Sequence, residues 1–386
     1  MAAAALAWLA GIGLQMQQPA LWPALHYLAL ALAGIVWPPL WALASALVRS
    51  LVWALDGLAG LPFGLWTAAA APGWAMAVGL LGGALLVMPL PWRLRWLGLP
   101  LPLLLPLLAP PLPRPAVGEF EVVAPDIGQG TAVLVRTRNH LLLYDSGPRY
   151  SAEADAAQRV LLPLLRARVE GGIDLLMLSD RDIDHVGGAA SLLAQLPVVA
   201  LASSLPEAHP LLAAGVPHRR CAAGQAWDWD GVRFEMLHPQ AGDYVPSARP
   251  NGLSCVLRVQ GAGGRSLLLA GDIEAAQEAA LVGRLGAGLR SQVLWVPHHG
   301  SKTSSSEAFV GAVAPGTAVV QAAYRNRFGH PAPEVLARYR AWGIEVVRSD
   351  ACGAWTWDAQ GVERCQRETA RRYWHHRVTV DPAVGP

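Results

Sequence analysis

The chain has 386 residues, 53% hydrophobic and only 15% charged, with a net charge of +2 and a mean hydropathy of +0.31. Soluble domains carry about 25% charged residues. Here the deficit is uneven, since residues 1–118 hold only Arg49, Asp56, Arg93, Arg95 and Arg114 of the 30 basic and 28 acidic residues. The composition excludes a wholly soluble enzyme and a transporter that fills the membrane along its full length. The near balance of charge after residue 118 excludes capture of nucleic acid by bulk charge.

In chain order, a membrane part comes first. A bilayer span needs roughly 20 apolar residues. The runs Trp22–Val48, Ala68–Leu90 and Trp96–Leu112 qualify, the first interrupted by Pro38-Pro39 and the last short and Pro-rich. Ser50–Leu65, with Asp56 inside it, reads as an interfacial segment. The apolar first 15 residues lack a charged leader region, so a cleaved signal peptide is not expected. Trp22, Trp66, Trp92 and Trp96 flank the apolar runs as an interfacial belt does. Arg93 and Arg95 lie in the loop before the last run. By the positive-inside tendency that loop is cytoplasmic, which places everything after residue 114 on the outer face.

The soluble part then reads as strands alternating with helices, an α/β domain. Strand-like runs are Phe120–Ala124, Ala132–Arg136 paired with His140–Tyr144, Leu175–Leu178, Val232–Leu237, Ser254–Val259, Ser266–Ala270 and Gln292–Val296. Ala156–Arg168 reads as an amphipathic helix, and Gly187-Gly188 opens another that Pro197 stops. Ser304 and Glu307 fit a capping box opening a helix over Ser305–Val313. The cysteines Cys221, Cys255, Cys352 and Cys365 have no CxxC spacing and read as buried apolar residues. In an oxidising compartment one or two disulfides are open to them, with pairing unassigned.

Polar clusters fall where strands end. Asp180, Asp182, Asp184 and His185 crowd four candidate ligands into six residues after a buried strand. Carboxylates that close repel one another unless a cation neutralises them. A solvated acidic loop ahead of a helix is the alternative. An EF-hand is excluded, because the Gly at its sixth position and the Glu at its twelfth are missing. Three more strands end in Asp145, in Asp272 and in the pair His298-His299. This is the constellation of a metal-dependent hydrolase.

Taken together, these motifs resemble the metallo-β-lactamase superfamily, and more narrowly the ComEC family of DNA-internalisation competence proteins. The residues that carry the likeness are Asp126-Ile127-Gly128-Gln129-Gly130, the run Ser179–Gly188, Arg249–Ser254, Ala270–Glu274, Pro297–Lys302 and Asn326–Pro331, spread over most of residues 120–360. The resemblance implies a metallo-β-lactamase-like αββα sandwich over 117–362. Before it, residues 1–116 would be the transmembrane end of a competence channel, and after it 363–386 a basic, aromatic tail. Family members are longer, so the chain resembles a C-terminal portion or a truncated relative.

Carried over residue by residue, the superfamily's first metal site falls on Asp180, Asp182 and Asn251, where imidazoles usually stand. The second falls on Asp184, His185, a bridging Asp272, and His298 or His299. His298, directly after the strand, is the preferred member of that pair, because neighbours on a regular strand cannot both point inward. Carboxylate and water donors favour Mn²⁺ or Mg²⁺ over Zn²⁺, as one or two ions. Class chemistry then implies cleavage of a phosphodiester by a water of lowered pKa. Asp184, His330 and Lys302 are the catalytic candidates. Asp126, Asp145, Asn251, Ser254, Ser301, Thr303 and Asn326 are candidates for substrate contact or for support of the ligands. Lys302 is the only lysine in an arginine-rich chain. Ser301 to Ser304 can equally be a helix cap.

His140, His209, His218 and His238 have no ligand-like neighbours and read as structural or surface residues. The tail residues Arg364, Arg367, Arg371, Arg372 and Arg377, with Tyr373, Trp374, His375 and His376, read as a solvated helix with a docked Trp, or else as a contact for DNA or lipid headgroups. Expected partners are DNA, single-stranded or incoming duplex, membrane lipid, other competence proteins and a separate N-terminal channel portion. The expected location is the inner membrane, multi-pass, with the soluble domain periplasmic. The expected function is degradation of the DNA strand that is not imported. The alternative is a non-catalytic channel component that keeps a degenerate hydrolase domain.

Overall fold

The computed structural model describes residues 38–59, 73–98 and 113–371. The chain divides into two units, residues 1–67 and 68–386. In the first, helix α1 spans Pro38–Ala59. Its window Trp41–Leu58 has a mean hydropathy of 1.3 and none of it is buried. Among the described residues it is the one helix long and apolar enough to cross a membrane. Pro38-Pro39 stands at the helix start, where a missing N–H costs nothing, so it begins the helix rather than interrupting a span. The helix then runs through Val48 and Ser50, replacing the expected division into a span and an interfacial segment. The earlier part of Trp22–Val48 lies outside the described residues.

In the second unit, α2 spans Gly73–Val87. Its 15 residues rise roughly 22 Å, short of a bilayer core. Trp96–Gly98 forms a single 3₁₀ turn against it, with Gly98 close to Gly82. The remainder of the expected third run is outside the described residues, so several spans are not evident.

The rest of the unit is two mixed sheets. The strands are β1 Glu121–Ala124, β2 Val133–Arg136, β3 Leu141–Tyr144, β4 Ile173–Leu178, β5 Val198–Ser203, β6 His218–Arg220, β7 Ala226–Trp229, β8 Val232–His238, β9 Val256–Gln260, β10 Ser266–Leu269, β11 Val293–Trp295, β12 Thr317–Val320, β13 Glu345–Arg348, β14 Trp355–Trp357 and β15 Glu363–Cys365. The first sheet has the order β15-β14-β1-β2-β3-β4-β5-β6, and the second β13-β12-β11-β10-β9-β8-β7. Each changes from antiparallel to parallel partway across, at β3–β4 and at β10–β11. Strand β15 carries the first sheet past residue 362, where a separate tail was expected to begin.

Strands that bury both faces read as near-continuous apolar runs, as Leu141–Tyr144 and Ser266–Leu269 do. One face of each sheet meets the other in a core that includes Val135, Leu142, Met177, Phe234, Leu257, Leu267, Trp295 and Trp355. The outer faces take helices. On the first sheet these are α3 (Leu162–Ala167) and α4 (Ala189–Gln195), through Leu162, Leu165 and Leu192. On the second they are α5 (Ala275–Leu285), α6 (Glu307–Val313) and α7 (Pro333–Ala341), through Leu281, Phe309, Val335 and Tyr339. The result is the expected helix–sheet–sheet–helix order. The cap of α6 is Ser306, whose Oγ accepts from the Phe309 N–H, and not Ser304, which donates to the carbonyls of Pro297 and Ser301.

Two disulfides, Cys221–Cys255 and Cys352–Cys365, join the four cysteines. The first ties the end of the first sheet's β6 to the start of the second sheet's β9.

Candidate metal centre

The parallel strands β3 and β4 deliver the first half of the site. Leaving β3, Asp145 adopts a left-handed backbone conformation (φ 59°). It accepts from the Ser179 N–H at 2.6 Å and from His185 Nδ1 at 2.8 Å. That bond puts the imidazole proton on Nδ1 and aims Nε2 inward. After β4 comes a one-turn helix, Ile183–Val186, which presents Asp184 and His185. Its backbone is clamped: the Thr131 N–H donates to the Asp184 carbonyl at 3.1 Å, and the Ser146 N–H to that of His185 at 2.8 Å. Gly130 makes the approach possible, because a Cβ there would sit 2.3 Å from the Asp184 carbonyl oxygen.

The second sheet delivers the other half. Asp272 follows β10, and its N–H donates to Ser254 Oγ at 3.0 Å. Strand β11 ends at Trp295, and Pro297–Gly300 then form a 3₁₀ turn in which His298 (φ 51°) and His299 (φ 53°) are both left-handed. The strand argument that favoured His298 therefore fails, because the pair is not on a strand. His299 is the buried member. Its Nδ1 donates to the Gln321 carbonyl at 2.9 Å and its Nε2 lies 3.2 Å from Asp184 Oδ2. His298 is more open and sits at the rim, its Nε2 3.9 Å from Asp272 Oδ2.

Two groups of potential ligand atoms result, Asp184–His185–His299 and Asp180–His185–Asp272, each within 4.8 Å of one another. His185 Nε2 is 3.2 Å from Asp272 Oδ2 and 3.9 Å from both Asp180 Oδ2 and Asp184 Oδ1. Three buried atoms here, His185 Nε2, His299 Nε2 and Asp272 Oδ1, have no hydrogen-bond partner. Unsatisfied buried polar atoms are rare in folded proteins. Two convergent imidazole nitrogens among carboxylates are the donor set of a divalent cation, and the residues fit one.

The electrostatics point the same way. Burial alone would push the His185 imidazole down, but Asp180, Asp272 and Asp145 hold it well above its ordinary value. His299 is likewise raised against burial by Asp272 and Asp184. Burial would raise Asp272, yet His185 and His299 hold its carboxyl far below the usual range. Asp184 is also lowered against burial, chiefly by His299. Asp180 is pushed up to about 7 by burial, with further repulsion from Asp272 and Asp145.

The other predicted residues divide clearly. Ser254 joins the site, donating to Asp180 Oδ2 at 2.9 Å. Asn251 lies at the rim, 3.5 Å from His298 Nε2. Thr303 Oγ1 is 3.2 Å from both His298 Nδ1 and Ser301 Oγ. Asp182 belongs to neither group, and its N–H donates to Asp180 Oδ1. Asp126 is likewise outside both groups, in an ion pair with Arg367 at 2.7 Å that fixes the 126–130 loop. This pair, with Arg364–Asp358, gives two of the tail arginines structural work. Residues 372–386 lie outside the described part. Asn326 serves its own loop, accepting from the N–H groups of Phe328 and His330. Lys302 is exposed, in the loop after the His pair. His330 stands beside His298, ring centroids 5.8 Å apart, and is pushed down by burial and then by His299 and His298. His238 is structural, bonded to the Gly252 carbonyl beneath Asn251.

Two supporting residues escaped sequence reasoning. Gln321 presents its carbonyl to His299, while its side chain bonds Pro125 and Ala132 on either side of the 126–130 loop. A buried Gln after an apolar strand was the available signal. Glu274 Oε1 lies 3.2 Å from Thr303 Oγ1 and 3.6 Å from His298 Nδ1. It stands two residues after Asp272 in a motif already singled out.

Fold and site together define the class: the chain belongs to the metallo-β-lactamase superfamily, whose family description matches residues 125–323. Relatives narrow this. The chain is 40% identical over 261 residues to Competence protein ComA of Neisseria gonorrhoeae, covering 67% of this chain and 35% of that one. It is 33% identical over 235 residues to Recombination protein 2 of Haemophilus influenzae (61% and 28%). To ComE operon protein 3 of Bacillus subtilis it is 32% identical over 257 residues (61% and 32%). The ComEC resemblance read from the motifs is thereby shown. The chain spans about a third of the length of these relatives.

Proposed function

We propose that the domain is a metal-dependent phosphodiesterase that cleaves DNA during its uptake at the membrane, degrading the strand that is not imported. The observation that carries this is the convergence of Asp184, His185, Asp272 and His299, with three unsatisfied buried atoms, at the strand ends of both sheets. These four would hold the ion, with Asp180 available to a second. The mixture of imidazole and carboxylate favours Mn²⁺ over Mg²⁺. When bound, such an ion lowers the pKa of a water and offsets phosphoryl charge. The chain's own part is to fix the ligands through Asp145 and Gln321 and to keep Asp184 ionised as a proton acceptor. Thr303, Lys302 and His330 would serve as phosphate contacts.

Names of the relatives support the setting in DNA uptake. Helix α1 supports membrane attachment. The two disulfides suit an oxidising compartment, which favours a periplasmic domain beyond a membrane segment ending near residue 116. Other competence proteins and a further channel portion complete the proposed machinery.

A second reading, a non-catalytic module of the uptake channel, draws on Asn251 standing where the first site's imidazole is expected and on Ser254 tying up Asp180. Cleavage of labelled DNA by the purified full chain with Mn²⁺ separates the two. Wild-type cleavage that chelation and Asp184→Ala both abolish is expected. No wild-type cleavage, with DNA uptake supported equally by the Asp272→Ala chain, leaves only the second reading.

A further inference from the structure

The loop between β12 and α7 exposes two aromatic rings beside the site. Tyr324 is 41% and Phe328 54% accessible, although an ordinary surface loop places polar residues there. Each ring carries a guanidinium: that of Arg325 lies 5.2 Å from the Tyr324 centroid and that of Arg327 4.8 Å from the Phe328 centroid. No acidic residue interrupts Ala322–Ala332. The loop is also built to hold its shape. The Asn326 carboxamide accepts from the N–H groups of Phe328 and His330 and donates to the carbonyls of Ala323 and His330.

From this loop a line of rings leads inward. Phe328 stacks on His330, centroids 5.8 Å apart and planes 13° from parallel. His330 meets His298 edge-on at 5.8 Å, and His298 Nε2 is 3.9 Å from Asp272 Oδ2. His330 Nδ1 is a buried nitrogen without a hydrogen-bond partner. Exposed π-faces paired with cations recognise a ligand that is at once planar and anionic along its backbone, and nucleic acid is that ligand. In a duplex the base faces are already stacked on one another, so the fit is to unpaired bases.

We propose that Phe328 forms a stacking platform for an unpaired nucleobase, with Arg325 and Arg327 on the backbone phosphates, feeding a single strand past His330 toward the site. The delivery step rests on the phosphodiesterase reading, whereas the platform itself does not. The test uses the full chain in detergent with chelator present, so that hydrolysis plays no part. Fluorescence anisotropy compares a labelled oligothymidylate with an abasic oligonucleotide of the same length and charge. Stacking of one base contributes roughly 5- to 150-fold in affinity. Wild type is expected to prefer the oligothymidylate by a factor in that range. Phe328→Ala should lose most of the preference, and Phe328→Trp should keep it. Because each protein is its own reference, partial unfolding cancels. Equal wild-type affinity for the two probes, or an undiminished preference in Phe328→Ala, overturns the platform. Retained preference in a chain that cleaves nothing with Mn²⁺ removes the phosphodiesterase reading and leaves the platform standing.

Discussion

From the first sheet the site draws Asp145, Asp180, Asp184 and His185, presented on two neighbouring parallel strands and a clamped helical turn. From the second it draws Asp272 after a strand and His299 from a left-handed turn. The first contribution is crowded with carboxylates, and the second brings a further buried imidazole, that of His299. A cation held between them would be shared by sheets that share no ladder hydrogen bond. Other ties also join the sheets. Cys221–Cys255 is covalent. At another, Asp230 in the β7–β8 turn accepts from Thr137 Oγ1 at 2.7 Å and from the Asn139 N–H and Nδ2 at 2.8 Å, on the β2–β3 turn. That turn precedes β3 and so lies at the end of the strand away from Asp145. His140 adds its Nδ1 at 3.1 Å and stacks on Trp229.

Substitutions on the two sides of the site and at the ties between the sheets have expected effects that fall in order. His299→Ala takes away the second sheet's buried imidazole and should cost Mn²⁺ affinity more than the roughly 10–100-fold typical of a supporting residue. His298→Ala, at the rim, should cost less than that range. Calorimetric affinities check the order, and a larger loss at His298 would reverse the ligand assignment. Replacing both Cys221 and Cys255 by Ser should destabilise the sandwich by about 2–4 kcal/mol, read by denaturant titration. An unchanged midpoint would show that the disulfide does not hold the sheets.

Asp145→Asn supplies the wrong hydrogen-bond partner to His185 Nδ1 while keeping the shape. A roughly 10-fold loss of Mn²⁺ affinity, with the fold intact by circular dichroism, is the expected result. The smallest effect concerns Asp230. Donors from the opposing turn hold its carboxyl well below the usual range against the pull of burial. Such a group stabilises the fold above its unfolded pKa, near 4, and that stability is lost as pH falls toward the folded value. Asp230→Asn should lower the melting temperature by about 2–4 °C at pH 7 and by progressively less below pH 4. A difference that stays constant with pH would mean the ionised carboxylate is not what the latch uses.

Much of this arrangement could be read from residue order alone. Apolar runs that stop at Asp145, Asp180, Asp272 and the His pair marked the strands and also their functional ends. The helical turn bearing Asp184 and His185 lay inside one contiguous motif. What sequence did not show was backbone handedness. Nothing in Pro297-His298-His299-Gly300 says that both histidines adopt positive φ, so period-two reasoning favoured His298, whereas the buried imidazole is that of His299. Long-range partners were equally hidden: Asp126 looked like a site residue, and only the fold reveals Arg367, 241 residues on, as its counter-ion. The cysteine pairing was left open for the same reason, since it depends on which strands become neighbours. In the apolar N-terminal part, composition marked the apolar stretch but not the helix limits, because Pro38-Pro39 reads alike as a break or as a beginning.

The claim on which the rest depends is that both sheets ligate one cation. Isothermal titration of Mn²⁺ into the full chain, wild type beside Asp272→Ala, tests it most directly. Asp272 contacts the imidazole of His185 from the opposite sheet and lies 3.7 Å from His299 Nε2. Saturable binding by wild type and none detectable in Asp272→Ala is the expected outcome; equal binding by the two chains would contradict a shared site.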